Sequence, residues 1–314
     1  FALKPMNCPH HIEIFNRRPL SYREIPQRYA NTTKVYRDEQ TGELNGLSRV
    51  RSITQDDAHV FCRQSQVKEE FIKIWNVVDE FYKIFGFNLN IELSFRDLSS
   101  PEKYLGTPEM WNRAEAQLEE IALDKKIEFT TSRGEAAFYG PKIDFTTHDS
   151  LGRRQQIATI QLDVNLPEKF DLTCTNEKGE QERIVMIHCA IMGSIERFMA
   201  MLLEHLEGNF PLWLAPVQIA ILPISDKVAD YANKISGELA EAGIRFEIYK
   251  KNETMGKKIR EAETQKIPYL VVVGAKEEEN KTVALRQRGQ GDLGEIKISE
   301  LVSKLKKEIE FKSL

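Results

Sequence analysis

Residues able to do chemistry crowd into one stretch, positions 33–62. Arg37 and Glu39 come first, and Arg49, Arg51, Gln55, Asp56, Asp57 and His59 follow. So many guanidinium, carboxylate and imidazole groups exceed what a solvated edge needs. They suit a site that holds a polyanion and a small polar ligand together. Cys8 and His188 extend that chemistry. With His59 they offer three sulfur and nitrogen donors, each at or beside the end of a predicted strand or turn. Three protein ligands leave a fourth tetrahedral position open, as in a catalytic or substrate-binding zinc. The separations of 51 and 129 residues match no short metal motif. On the residues alone, Cys8 also reads as a small buried hydrophobe.

Regular elements must position these groups. Residues 33–36 and 49–54 are rich in β-branched and aromatic types, and Gly42, Asn45 and Gly46 lie between them. This predicts a β-hairpin with a long polar connection. Upstream, residues 1–4 read as a strand with nothing before it, which suggests residues removed ahead of Phe1. Asn7 reads as a helix cap, with Pro9 in the first turn. Downstream, Phe71, Ile72, Trp75, Val78, Phe81, Tyr82 and Phe85 recur at helical spacing across 64–85. That stripe is core packing rather than a cofactor box.

A strand is predicted over 87–95, a helix capped by Thr107 over 108–123, and a short strand over 127–131. Residues 136–146 and 153–164 read as antiparallel strands around a turn near 149–152. Their polar members, Tyr139, Lys142, Asp144, Gln156, Gln161 and Asp163, alternate with apolar ones. One face is polar, either simply solvated or the floor of a binding site. A strand over 182–189 carries His188. The helix that follows, 194–206, carries Arg197 either at the sheet end or on the surface.

A proline-bounded connector, 211–216, precedes a change of pattern. Strands are predicted at 218–222, 245–249, 269–273 and 282–287, with helices at 226–242, 255–265 and 299–310. Such alternation gives a small α/β domain with a mixed or parallel sheet. Two domains, 1–212 and 213–314, fit the 314 residues.

Composition narrows the class. The chain is 41% hydrophobic and 29% charged, with no apolar run of about 18 residues to span a membrane. Four cysteines without regular spacing argue against a disulfide framework and point to a reducing cytoplasm. The net charge of −4 makes no electrostatic case for nucleic acid. Residues 215–314, with 18 basic and 16 acidic side chains, carry +2, and the remainder, with 26 and 32, carries −6. A polyanion partner fits the C-terminal part better.

Met-Asn-Cys-Pro at 6–9, Tyr-Arg-Asp-Glu at 36–39, Arg-Val-Arg at 49–51, Thr-Gln-Asp-Asp-Ala-His at 54–59, Phe-Tyr-Gly-Pro-Lys-Ile-Asp at 138–144, Gln-Leu-Asp at 161–163 and Gly-Ser-Ile-Glu-Arg-Phe at 193–198 stand in this order. The set closely resembles the threonyl-tRNA synthetase family across essentially the whole chain. The resemblance implies an α+β fold: a class II antiparallel sheet with flanking helices, then a smaller α/β anticodon-binding domain. It implies threonine–tRNA ligase activity on L-threonine, ATP and tRNA(Thr), in the cytoplasm.

By position, the resemblance gives Cys8, His59 and His188 to one zinc per chain, and Gln55, Asp57, Tyr139 and Gln161 to threonine. Arg37 and Arg197 are the implied catalytic arginines. They share ATP with Glu39, Arg49, Gln156 and Thr159, and Mg2+ accompanies the nucleotide. Asn252, Lys276, Glu277 and Arg286 match positions that read the anticodon, although 276–279 alone also reads as a solvated turn. The family's first class II signature, at its dimer interface, is expected before Phe1. A homodimer is therefore implied when that segment is present. The resemblance does not extend to the family's amino-terminal editing region. His10, Cys189 and Val164 depart from a usual glycine, arginine and phenylalanine. Two rivals remain on the sequence: a catalytically weak tRNA-binding paralogue, and a threonine sensor that keeps the zinc pocket.

Overall fold

The computed structural model describes residues 1–149 and 151–312. The chain divides into two compact units, Phe1–His205 and Leu206–Leu314.

In the first unit, α1 (Cys8–Asn16) precedes a long antiparallel pair, β1 (Gln27–Tyr36) and β2 (Ser52–Cys62). Then come α2 (Val67–Ile84), β3 (Asn90–Phe95), α3 (Pro108–Asp124), β4 (Phe129–Arg133), β5 (Lys142–His148) and β6 (Arg154–Asp163). The short α4 (Asn165–Lys169), the small pair β7 (Thr173–Thr175) and β8 (Gln181–Arg183), β9 (Val185–Ala190) and α5 (Ile195–His205) complete it. Seven strands form one sheet in the order β1-β2-β9-β6-β5-β3-β4. Its neighbours are antiparallel except β3 and β4, which run parallel.

The two faces of this sheet do different jobs, because successive side chains alternate. On one face, α2 buries Phe71, Trp75, Val78 and Tyr82, whose 4-3-4 spacing makes a single helical stripe. Trp75 meets Phe145 of β5 edge-on, at 5.2 Å between ring centres. Ile143, Phe145, Ile160 and Leu162 are wholly buried on these strands. On the other face, α1 lies against β2, with Phe15 stacked on Phe61 at 4.6 Å. The rest of that face is left for polar side chains.

The second unit runs β10 (Ile219–Pro223), α6 (Ala229–Glu241), β11 (Phe246–Ile248), α7 (Met255–Thr264), β12 (Tyr269–Val273), α8 (Ala275–Asn280), β13 (Thr282–Gln287), β14 (Gly291–Lys297) and α9 (Ile298–Glu310). Its sheet, in the order β11-β10-β12-β13-β14, is parallel through the first three strands and antiparallel beyond them. Alternation splits its core in two. Ile219, Ile221, Val271 and Val273 pack with Leu239 of α6 and Leu301 of α9. Ala220, Leu222 and Leu270 pack with Ala262 of α7.

Several sequence expectations need correction. Residues 1–4 form no strand: Phe1 and Leu3 are exposed, and Tyr36 N–H donates to the Lys4 carbonyl at 2.9 Å. The hairpin is offset, with β1 beginning at Gln27 and β2 at Ser52. β1 is an edge strand, and its first six residues carry largely polar, exposed side chains without an apolar alternation. Of 136–146, only the part from Lys142 is strand. The strand expected over 182–189 is two strands, broken at Ile184. The run 276–279 belongs to α8. β14 went unpredicted because it is an exposed edge holding Gly291 and Gly294.

Candidate active site

Register sets out the site. In the β2–β9 pair, His59 lies opposite His188, and in the β9–β6 pair His188 lies opposite Gln161. Asp57 shares the face of His59, two residues back along β2. The His59 and His188 rings meet edge-on at 4.7 Å. The first turn of α1 brings Cys8 to them, with Sγ 3.5 Å from His188 Nδ1. One donor atom each from Cys8, His59 and His188 falls within 4.8 Å of the others.

The remaining ring nitrogens are engaged. His188 Nε2 lies 2.9 Å from Asp163 Oδ2, and His59 Nδ1 lies 2.7 Å from Nδ1 of His11. His59 Nε2 is buried and has no partner. A buried, unpartnered nitrogen facing a thiol and a second imidazole fits a metal ion with a nitrogen and sulfur preference, such as zinc. Burial, then the neighbouring His188 and His11, lower the His59 pKa to about 2, so its lone pair stays free. Burial opposes charge on His188 too. Its bonds to Asp163 and Cys8 outweigh that and raise its pKa to about 10.

Two adjoining cavities open on this face. One, of about 350 Å³, is lined by Cys8, Asp57, His59, Tyr139 and His188. The other, of about 230 Å³, is lined by Gln156, Gly193, Ser194 and Arg197. Arg37, Gln55, Thr159 and Gln161 line both. Asp57 is 6% exposed and accepts from Asn7 Nδ2 at 2.8 Å. Burial raises its pKa, and the Asn7 bond opposes that rise. Tyr139 donates to Gln161, whose amide reaches Thr159 Oγ1 at 3.2 Å. Tyr139 comes this close because the next residue is Gly140. A Cβ there would sit 1.8 Å from the Leu162 carbonyl oxygen.

The turn from β9 into α5 is pinned to β2. Asp56 accepts from the N–H groups of Ile191 and Met192, and its own N–H donates to the Gly193 carbonyl. Glu196 accepts from both the backbone and the hydroxyl of Thr54. Arg197 is thereby held over the second cavity, and its Nε donates to the Ser48 carbonyl at 2.9 Å. Burial and the nearby Arg49 and Arg37 lower its pKa. Arg37 and Arg197, neither in an ion pair among the described residues, make a polyanion site. Glu39 and Arg49 pair with each other at 2.8 Å and line neither cavity, so they stand at its margin. Gln156 Nε2 donates to Asp144 Oδ1 at 2.7 Å.

In the second unit, Asn252 is exposed in the segment before α7. Lys276 pairs with Glu295, and Glu277 accepts from the Gly274 N–H at 2.8 Å. Arg286 lies 3.6 Å from Asp292, and its Nε is buried without a partner. Lys276 and Glu277 sit on α8, which packs on β13, the strand of Arg286.

Two polar residues at this site were missed by the sequence reading. Asn7 was expected to cap α1, yet its side chain makes no capping bond and turns to Asp57. His11 was given no role. The signal was helical spacing: three residues from Cys8, it lies on the same side of α1.

The tRNA synthetase class II core domain (G, H, P, S and T) matches residues 1–206, and an anticodon binding domain matches residues 218–308. The threonine–tRNA ligase of Porphyromonas gingivalis is 48% identical over 311 residues, covering 99% of this chain and 48% of the relative. That of Flavobacterium johnsoniae is 52% identical over 300 residues, covering 95% and 46%. The chain spans about half the length of the curated relatives it matches. Among solved structures, the RNA binding domain of threonyl-tRNA synthetase from Cryptosporidium parvum Iowa II superposes with a TM-score of 0.90 at 38% identity, over 97% of this chain and 76% of that one. Two matched domains in this order, with relatives that agree over both, show that the chain belongs to the threonyl-tRNA synthetase family of class II tRNA synthetases.

Proposed function

We propose that this chain activates L-threonine with ATP to threonyl-adenylate and transfers threonine to tRNA(Thr), as a threonine–tRNA ligase. The observation that carries this reading is the wall shared by the two cavities, whose polar members are Arg37, Gln55, Thr159 and Gln161. An amino acid held at the Cys8–His59–His188 end and a nucleotide held at the Arg197 end would meet at Arg37.

Cys8 Sγ, His59 Nε2 and His188 Nδ1 would hold one zinc ion per chain. Bound there, zinc supplies Lewis acidity toward the amino and hydroxyl groups of threonine. Asp57 accepts the substrate hydroxyl's hydrogen bond. Gln55, Tyr139 and Gln161 orient the amino and carboxylate groups. Arg37 holds the threonine carboxylate against the α-phosphate of ATP, which carries Mg2+. It stabilises the negative charge that builds there as the carboxylate attacks in line and pyrophosphate leaves. Arg197 and Arg49 take the distal phosphates, which relieves the crowding among the three guanidinium groups. Glu39 approaches adenine, and Gln156 and Thr159 approach ribose. A terminal ribose hydroxyl of the tRNA then attacks the adenylate carbonyl and AMP leaves.

Asn252, Lys276, Glu277 and Arg286 would read splayed anticodon bases by hydrogen bonds to their edges. The unpartnered Arg286 Nε supports this. We place the enzyme in the cytoplasm, and as a homodimer where the class II signature of the dimer interface is present. Among the described residues, no helix is long and apolar enough to cross a membrane.

Valine matches threonine in shape but brings no hydroxyl, so the Asp57 oxygen that Asn7 does not engage would be left unpaired. Sites built to bond a hydroxyl reject such analogues by about 10⁴–10⁵. Serine keeps the hydroxyl and should be activated. The test is threonine-dependent ATP–pyrophosphate exchange by the zinc-loaded chain. Exchange is expected with threonine, weakly with serine and not with valine. Its absence from a folded, zinc-loaded sample would refute the proposal. Cys8→Ser and His188→Ala should each lose the metal, and cut exchange by more than the roughly 10–100-fold typical of losing an outer partner. Full exchange by a zinc-free His188→Ala variant would remove zinc from the mechanism.

A further inference from the structure

His59 and His188 are both backed by a second group, but the two groups differ in kind. His188 has the carboxylate of Asp163. His59 has the imidazole of His11, which is 4% exposed, with 2.7 Å between the two Nδ1 atoms. One of these nitrogens must donate and the other accept. If His11 donated, the neutral His59 ring would carry its hydrogen on Nε2. That would be a buried donor whose closest acidic oxygen, Asp57 Oδ1, lies 3.8 Å away, beyond hydrogen-bond reach. If His59 donates from Nδ1, its Nε2 presents a bare lone pair toward Cys8 and His188.

We propose that His11 is a positioning residue: it accepts the His59 Nδ1 hydrogen and so locks His59 in the tautomer and ring orientation that a metal ligand needs. This rests on the zinc reading above. The fold gives the arrangement a mechanical sense. Cys8 and His11 lie one turn apart on α1, so a ligand and the brace of a second ligand move as one body. His11 touches neither substrate nor metal. It acts through His59, and partners of this kind raise metal affinity by about 10–100-fold.

The test compares wild type with His11→Phe and His11→Asn. Phenylalanine keeps a ring but cannot accept a hydrogen bond. Asparagine offers a carbonyl oxygen near the position of Nδ1. Zinc affinity is read by competition with a chromophoric chelator, and the His59 tautomer by nitrogen-15 NMR of the zinc-free proteins. The expected result is a 10–100-fold weaker affinity in His11→Phe, recovery to within about threefold in His11→Asn, and Nδ1–H on His59 in wild type. Equal zinc affinity in wild type and a folded His11→Phe would overturn this assignment alone. A wild-type chain that binds no zinc overturns the metal reading and this inference with it. Should His11→Phe fail to fold, the wild-type tautomer decides: hydrogen on Nε2 of His59 overturns the assignment.

Discussion

Asp57 owes its orientation to a short relay. Lys4 Nζ donates to Asn7 Oδ1 at 2.8 Å, and Asn7 Nδ2 donates to Asp57 Oδ2 at 2.8 Å. Asn7 is wholly buried, so its amide has no water to fall back on. Asn7→Ala removes the donor and leaves a buried carboxylate free to rotate. Loss of such a bond costs about 1–2 kcal/mol, so KM for threonine should rise about tenfold while KM for ATP changes little. Exchange kinetics with each substrate varied in turn will check this, and an equal rise in both would point to general disruption. The residue types of the site were readable from the chain, because arginine, carboxylate and imidazole have few other reasons to cluster. Their partners were not. Whether Asn7 caps its own helix or crosses to Asp57 depends on how α1 lies on β2, and no local pattern encodes that.

At the scale of elements, α5 is fastened to β2 by Glu196. Its carboxylate takes the Thr54 N–H at 2.9 Å and the Thr54 hydroxyl at 2.6 Å, and pairs with Lys34 at 3.1 Å. Although partial burial opposes ionisation, these bonds lower its pKa to about 2 from an ordinary 4.5. A depressed carboxyl stabilises the folded state fully above 4.5 and loses that contribution as pH falls toward 2. Glu196→Gln should therefore destabilise the chain by about 1–2 kcal/mol at pH 7, and the gap to wild type should close in acid. Urea midpoints at pH 7 and pH 3 measure it, and a gap that widens in acid would contradict the assignment. Elements with a buried stripe, such as α2 and β12, were readable within a few residues because burial imposes a period. β14 and the first half of β1 were not, since exposed edges impose none. α8 escaped because its sequence, AKEEEN, has no apolar face.

At the scale of the whole molecule, each unit carries its own core. Leu301 is fully buried in the second unit among Leu239, Val271 and Leu305. Leu301→Ala should cost that unit about 2–5 kcal/mol. Amino-acid activation, assigned wholly to the first unit, should persist wherever the variant's first unit stays folded. Calorimetry paired with the exchange assay tests this, and parallel loss of both would tie activation to the second core. The three donors also set an order of events. Cys8, His59 and His188 arise far apart and meet only when α1, β2 and β9 lie together. In a small zinc module the ion can organise the fold around closely spaced ligands; here about three-fifths of the 314 residues must be in place first. During synthesis, a growing chain could not seize the ion until β9 had left the ribosome. Metal capture would then certify a finished sheet rather than start one. In refolding, zinc uptake should keep pace with or trail the assembly of the first unit, never precede it.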